Sequence, residues 1–179
     1  MVIKILIALA VIVVVLVVVV ATRPSEFRVE RTATMSAPAS VVFGHVNDLH
    51  KWEAWSPYAK RDPAMKKTIE GTPAGVGAIY TWSGNHEVGE GRTTIIESRP
   101  SELIRIKLEF VRPFAGTSTA EFTFKPEGER TAVTWSLAGR NNFTAKAMGL
   151  VMNMDQMIGG DFEKGLAQMK SVVEAGPRQ

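Results

Sequence analysis

The stretch MDQMIGGDFEKGLAQMKSVVE, residues 154–174, repeats apolar side chains at spacings of three and four. Its regularly spaced apolar residues are Ile158, Phe162, Leu166, Met169 and Val173. This period is typical of an amphipathic α-helix with one buried stripe and one wet face. Gly176-Pro177 follows and favours a helix end at this point. The stretch therefore predicts a long C-terminal helix whose stripe must cover another apolar surface.

Short runs that alternate apolar and polar residues supply that surface. The clearest run, IRIKLEF at residues 104–110, places its aliphatic and aromatic residues on one face and its charged residues on the other. Such alternation predicts antiparallel strands with one wet face and one buried face. The predicted strands are Phe27–Met35, Lys66–Gly71, Ala78–Ser83, Glu87–Ser98, Glu102–Arg112, Thr117–Pro126 and Thr131–Arg140.

Two short helices are predicted between the first two strands. Ser36 and Pro38 provide a helix start, and the residues from Leu49 to Trp55 predict a second helix, which Pro57 ends. The order of elements predicts an α+β domain. In it, a curved antiparallel sheet of about seven strands wraps around the C-terminal helix.

The N-terminus predicts a transmembrane anchor. The run from Ile5 to Ala21 is unbroken and apolar, and about twenty helical residues cross a hydrocarbon core of roughly 30 Å. A cleaved signal peptide is the alternative, but only Lys4 precedes the run, and the run is long for such a signal. We therefore divide the chain into an anchor (1–22), a linker (23–26), a domain (27–176) and a tail (177–179).

Basic residues flank the anchor on both sides, with Lys4 before it and Arg23, Arg28 and Arg31 after it. The positive-inside rule therefore gives no clear orientation. We favour a single-pass inner-membrane protein with its domain on the outer, periplasmic side.

Composition argues against several kinds of site. The net charge of +3 is modest and its basic residues are dispersed, so we expect no nucleic-acid partner. The chain has no cysteine. Its histidines, His45, His50 and His86, form no ligand motif, so we expect no metal and no cofactor. The sequence does not specify an oligomeric state.

Half of the fourteen aromatic residues occupy those alternate positions of the predicted strands that carry apolar side chains and should face the buried side. They are Phe27, Tyr80, Trp82, Phe110, Phe122, Phe124 and Trp135. One interpretation is the wall of a ligand pocket, which is usually apolar and aromatic. The other is an ordinary packed core. Trp52 and Trp55 share one face of the second short helix. They could form a lid over such a pocket, a structural hinge, or a contact with the membrane interface.

Two charged residues, Glu90 and Arg92, are the polar candidates on the strands. If their parity faces inward, they form a polar pair suited to acid–base chemistry inside the pocket. If the strand bulges at Gly89 and Gly91, both side chains face outward, and this is the interpretation that we favour. No serine, histidine and aspartate pattern of a catalytic triad can be assembled, so we predict no catalytic residues.

Five segments carry a resemblance to a known family. They are SAPASVVFGHVNDLHKWEAWSP from Ser36, GVGAIYTWSGN from Gly75, VGEGRTTI from Val88, TAVTWSLAG from Thr131 and MIGGDFEKGLAQMK from Met157. Together with the order of elements, they resemble the helix-grip fold of the SRPBCC superfamily. The details are similar to its bacterial polyketide cyclase/dehydrase and lipid transport branch, which includes some membrane-anchored proteins.

The resemblance implies a hydrophobic pocket between the concave face of the sheet and the C-terminal helix, but it implies no reaction. We therefore predict a membrane-anchored domain that binds a hydrophobic or amphipathic small molecule, such as a lipid. A cyclase- or dehydrase-like enzyme and a non-catalytic interaction module are the alternatives. The predicted ligand-binding residues are Trp52, Trp55, Tyr80, Trp82, Glu90, Arg92, Phe110, Phe122, Phe124, Trp135 and Phe162.

Three glycines, Gly159, Gly160 and Gly165, lie within the predicted C-terminal helix. Each destabilises a helix by roughly 1 kcal/mol relative to alanine. Close packing against the sheet, or room left for a ligand, would explain their presence. The helix is therefore predicted to be the lid of a pocket.

Overall fold

The computed structural model describes residues 1–176, so the predicted tail lies outside the described residues. The helices are α1 (Val2–Thr22), α2 (Ala39–Asn47), α3 (Phe143–Met148) and α4 (Met154–Glu174), with a 3₁₀ helix at Leu49–Ala54. The strands are β1 (Glu26–Met35), β2 (Lys66–Gly71), β3 (Ala78–Ser83), β4 (Glu90–Arg99), β5 (Leu103–Arg112), β6 (Gly116–Glu127) and β7 (Arg130–Arg140).

The seven strands form one antiparallel sheet in the order β1-β7-β6-β5-β4-β3-β2. The last strand, β7, pairs with the first, β1, with Glu26 opposite Arg140. Helix α4 lies across β1 and β7, and α2 covers the sheet beside it. This arrangement confirms the predicted α+β helix-grip fold.

Because all the strand pairs are antiparallel, alternate strand ends meet at the same end of the sheet. The end at which β1 begins is called the α1 end, because β1 follows α1 directly. It carries the strand ends Glu26, Arg140, Gly116, Arg112, Glu90 and Ser83.

Helix α1 is the one helix among the described residues that is long and apolar enough to cross a membrane. Length and composition alone do not distinguish such a span from a signal sequence near an N-terminus. The only buried residue of α1 is Val20, which is 2% exposed. The last turns of α1 contact α3, so the end of α1 is fixed beside the α1 end of the sheet.

Strand β4 begins at Glu90, three residues later than the predicted start at Glu87. The side chain of Asn85 accepts hydrogen bonds from the backbone N–H groups of Glu87 and Val88, at 2.8 and 3.3 Å. Gly89 then adopts a φ of 65°, which favours glycine. These contacts make residues 85–89 a tight turn and not the start of a strand.

Helix α3 was not predicted from the sequence. Asn142 is the N-cap of the helix, and its side chain accepts a hydrogen bond from the N–H of Ala145 at 2.8 Å. Asparagine is among the preferred residues at this position, so the sequence did contain a helix-start signal.

Two of the three glycines in α4 are explained by close packing. A Cβ at Gly165 would lie 2.8 Å from the Trp135 ring and 3.1 Å from Pro57, and a Cβ at Gly159 would meet the guanidinium of Arg31. That guanidinium donates to Asp155 of α4 at 2.9 Å, which ties α4 to the edge strand β1. A Cβ at Gly160 would meet nothing within 4 Å.

Candidate functional site

A cavity of about 650 Å³ lies between the concave face of the sheet, the N-terminal half of α4 and the 3₁₀ helix. This volume is within the range of small-molecule sites. The aromatic residues that line it are Trp52, Trp55, Tyr58, Tyr80, Trp82, Phe110, Phe122, Trp135 and Phe162. The lining is mainly apolar, so the cavity suits a ligand with a substantial hydrocarbon part.

On two strands of the sheet the inward-facing residues become smaller toward the α1 end, which leaves room for the cavity. On β4 the inward series is Ile95, Thr93 and Gly91, and on β6 it is Phe122, Ala120 and Ser118. Large side chains fill the space under α4 and α2 at the opposite end. At the α1 end the small residues of β4 and β6 leave room, and the rings of Trp82 on β3 and Phe110 on β5 form part of the cavity wall.

Four aromatic rings close the inner end of the cavity: Trp55, Phe122, Trp135 and Phe162. Trp135 stacks on Phe162 with ring centroids 4.0 Å apart, and on Phe122 at 4.9 Å. The ring of Trp55 meets Trp135 edge-on at 5.7 Å. This group, called the aromatic wall, separates the cavity from the solid core beneath the C-terminal half of α4.

Trp52 and Trp55 are both held by α2. The indole N–H of Trp52 donates to the carbonyl of Val46 at 2.8 Å, and that of Trp55 donates to the carbonyl of His45 at 3.0 Å. Both rings also line the cavity. The two tryptophans are therefore fixed parts of its wall, which agrees with the structural-hinge interpretation better than with a mobile lid.

Two tyrosines place phenol groups in this apolar lining. Burial raises the pKa of Tyr80 to about 12, and the nearby Glu53 carboxylate adds to the rise. Burial also raises the pKa of Tyr58, and Asp161 contributes. Both phenols therefore keep their protons at neutral pH and can donate hydrogen bonds to a polar group of a ligand.

An ion pair that involves Arg61 contacts the ring of Tyr58. Arg61 lies over its ring, 5.5 Å from the centroid, and pairs with the buried carboxylate of Asp161 on α4. The ion pair joins the loop after Pro57 to α4. It therefore fixes one side of the cavity.

Polar and charged residues belong to the cavity lining near the α1 end. Lys67 on β2 donates to Glu53 of the 3₁₀ helix at 2.8 Å. His86 and Arg112 line the cavity from two hairpins at the α1 end. Polar groups at one end of an apolar interior suit an amphipathic ligand. Among the described residues, no three His, Asp or Glu side chains are grouped to hold a metal ion.

A family comparison covers this whole arrangement. The family described as "Polyketide cyclase / dehydrase and lipid transport" matches residues 26–174, from the first residue of β1 to the last of α4. The chain belongs to this family. The predicted resemblance to the SRPBCC superfamily is thereby confirmed. No curated protein matches the chain.

Several solved structures share the fold of this polyketide cyclase/dehydrase and lipid transport domain. Protein CV1439 from Chromobacterium violaceum is 17% identical, with a TM-score of 0.60 over 87% of this chain and 100% of that one. The Aha1 dimer from Colwellia psychrerythraea is 12% identical, with a TM-score of 0.61 over 85% and 99%. The di-domain ARO/CYC StfQ from the steffimycin pathway is 11% identical, with a TM-score of 0.60 over 86% and 53%. At these identities the likeness concerns the fold alone.

Eight of the predicted ligand-binding residues line the cavity of this family member. They are Trp52, Trp55, Tyr80, Trp82, Phe110, Phe122, Trp135 and Phe162. Phe124 lies elsewhere. It is 5% exposed and meets Phe43 of α2 edge-on at 5.6 Å, within the solid core.

Glu90 and Arg92 do not line the cavity either. Gly91 and Thr93 take the inward positions of β4 and are buried, so the two charged neighbours face the outer side of the sheet. Glu90 there accepts a hydrogen bond from Arg112 at 2.7 Å. The outward interpretation that we favoured fits this strand, whose register shifts between Glu90 and Gly91, and the inclusion of Glu90 and Arg92 among the ligand-binding residues was wrong.

Sequence reasoning missed Tyr58, Thr93 and Ile158 as lining residues. The sequence did indicate Thr93, because it lies two residues before Ile95 on the same strand and therefore on the same face of the sheet. Ile158 belongs to the predicted apolar stripe of α4. Tyr58 follows Pro57 in an irregular loop and had no periodic signal.

Proposed function

We propose that this domain binds a hydrophobic or amphipathic small molecule, such as a lipid, in the cavity between sheet and α4, without catalysing a reaction on it. The observation that carries the proposal is a cavity of about 650 Å³ whose lining is mainly aromatic and aliphatic. A hydrocarbon chain would replace empty space there at about 25 cal/mol per Å² of apolar surface removed from water. The phenols of Tyr58 and Tyr80 would donate to a carbonyl or carboxylate of the ligand.

The test uses a fragment that starts at Thr22. This fragment keeps the domain core, because the core cluster runs from Val29 to Val173, and α1 contributes only the buried Val20. Far-ultraviolet circular dichroism first confirms that the fragment is folded. It is then incubated with fatty acids, phospholipids and quinones, and the bound species is identified by native mass spectrometry.

Two matched variants locate the binding site. Ala120→Phe fills the cavity from β6, whereas Ala138→Phe adds the same ring on the outer face of the neighbouring strand β7. We expect the wild type and Ala138→Phe to bind the ligand, and Ala120→Phe to lose it. Absence of any bound apolar molecule in the wild type would favour the interaction module instead.

A second candidate is a cyclase- or dehydrase-like reaction. The observation that favours it is the pair of protonated phenols within the cavity, since such donors stabilise an oxyanion that forms on a carbonyl substrate. Incubation of the fragment with polyketide-like carbonyl compounds tests this candidate. Turnover that Tyr58→Phe and Tyr80→Phe both leave unchanged would remove this role from the two tyrosines.

We further propose that α1 remains attached as a membrane anchor with the domain on the periplasmic side of an inner membrane. The length and apolar character of Val2–Thr22 support a span. An alkaline phosphatase fused to the C-terminus should be active in this orientation. An inactive fusion would place the domain on the cytoplasmic side.

A further inference from the structure

Exposed apolar side chains collect at one end of the molecule. Outside α1, the large apolar residues that are exposed among the described residues are Val41, Val76, Ile96, Val111, Phe114, Phe143, Val151, Met152 and Met157. The last six lie in two segments: the β5–β6 hairpin at residues 111–115, and residues 143–157 around α3 and the first turn of α4. The other three are scattered over α2, the β2–β3 turn and the outer face of β4.

The strand register places the β5–β6 hairpin at the α1 end of the sheet. Arg112 pairs with Glu90, and Phe110 pairs with Gly116, so the hairpin tip projects beyond the first residues of β4 and the last of β5. Phe114 at this tip is 54% exposed. The tip therefore presents an apolar aromatic surface at the α1 end.

The second segment surrounds the end of α1. Helix α3 follows β7 directly and contacts α1, and a cleft there is lined by Arg23, Lys146 and Val151. Val151 is 85% exposed. If α1 spans a bilayer, its last residue lies at the bilayer surface, and these side chains lie at the same level. Apolar residues beside arginine and lysine suit the interface, where cations meet lipid phosphates.

Residues that line the cavity lie next to both segments. Val88 and Pro113 line it from the two hairpins at the α1 end, and Ile158 lines it from the first turns of α4. A surface that rests both segments on a bilayer therefore also brings this part of the cavity lining close to the lipid.

We propose that the α1 end of the domain docks on the surface of the bilayer that α1 spans, with Phe114 and Val151 inserted at the interface and the cavity opening onto the lipid. The ligand would then move between bilayer and cavity without crossing water. This inference rests on the proposed membrane anchor. It goes beyond it, because a single helix would otherwise leave the domain free to turn away from the membrane.

The experiment uses the full chain in vesicles of phosphatidylcholine and phosphatidylglycerol. The chain has no cysteine, so single variants can be labelled at chosen sites with an environment-sensitive fluorophore. Phe114→Cys and Val151→Cys report the proposed surface. Val76→Cys, an exposed apolar site in the β2–β3 turn at the opposite end of the sheet, is the matched control. Val13→Cys reports the insertion of α1.

Spin-labelled lipids quench only fluorophores that reach the membrane. We expect them to remove roughly half of the emission at positions 114 and 151, as for side chains at the acyl boundary, and to leave position 76 nearly unchanged. Quenching at position 13 alone would overturn the docking surface and leave the anchor intact. Equal quenching at 76 would also overturn it. If position 13 is not quenched, the anchor itself is wrong, and the docking proposal fails with it.

Discussion

The two halves of α4 cover different kinds of space. Beneath the C-terminal half, Leu166, Met169 and Val173 are buried against the sheet and α2, and the interior is solid. Beneath the N-terminal half, Ile158 and Phe162 face the cavity. The same helix and the same sheet make both regions. The difference comes from the size of the opposing side chains and from the aromatic wall that separates the regions. One half of the interior therefore supplies packing that stabilises the domain, and the other half holds the proposed binding cavity.

The largest expected effect contrasts two leucines across this boundary. Leu166 is 1% exposed in the solid half, whereas Leu108 lines the cavity. Leu166→Ala should destabilise the domain by about 2–5 kcal/mol, because it leaves a new void, and Leu108→Ala by about 1–2 kcal/mol, because its side chain already borders one. Urea denaturation followed by circular dichroism measures both. Equal losses would break the comparison.

The reverse substitution tests the same boundary from the other side. Ala78 is fully buried at the start of β3, away from the α1 end, whereas Ala120 on β6 faces the cavity. Ala78→Leu should cost about 1–3 kcal/mol through overpacking, whereas Ala120→Leu should stay close to wild type. Denaturation midpoints of the two variants provide the measurement. A comparable loss for Ala120→Leu would mean that the space beside it is already filled.

Two glycines of α4 test how closely this helix packs against the aromatic wall. Gly165→Ala should destabilise the domain, because its Cβ would press on Pro57 and on Trp135, which belongs to the aromatic wall. Gly160→Ala has open space and should stabilise α4 by up to about 1 kcal/mol, the helix-propensity difference. Thermal unfolding of the two variants shows whether each one stabilises or destabilises the domain. Stabilisation by both would show that α4 does not touch the wall closely.

The smallest effect concerns how dry the cavity is. The folded pKa of Tyr80 is raised from 10.0 to about 12, so folding favours the protonated phenol. Its stabilising contribution is complete below pH 10 and is lost as the pH rises toward 12. An ultraviolet titration of phenolate in Tyr58→Phe isolates Tyr80, because the chain has only two tyrosines. A midpoint near 10, as in the urea-unfolded chain, would mean that water fills the cavity.

The sequence was sufficient to predict the sheet, because alternation reports which side of a strand is buried. It was also sufficient for most of the aromatic lining, since Tyr80, Trp82, Phe110 and Trp135 share one parity. It could not predict where the interior is empty. That depends on which strands are neighbours and on their register, which place Thr93 beside Leu108 and Ala120 beside Ile106.

The errors on β4 and β6 have separate causes. The turn from Asn85 to Gly89 restarts the alternation of β4, so Glu90 faces outward as we favoured, and counting alternate positions from Val88 gave the inward alternative that led to its inclusion among the ligand-binding residues. Phe124 has the right parity but lies too far along β6, beyond the aromatic wall and under α2. The alternation of residues predicts which face of the sheet a side chain lies on, but not how far along the strand it lies from the cavity.

The lining described above has an optical consequence. All four tryptophans of the chain, Trp52, Trp55, Trp82 and Trp135, border the cavity. The ultraviolet-excited emission of this protein therefore arises entirely from the walls of its cavity. A ligand that enters would alter the colour or yield of that emission, so the unlabelled protein is its own indicator of occupancy.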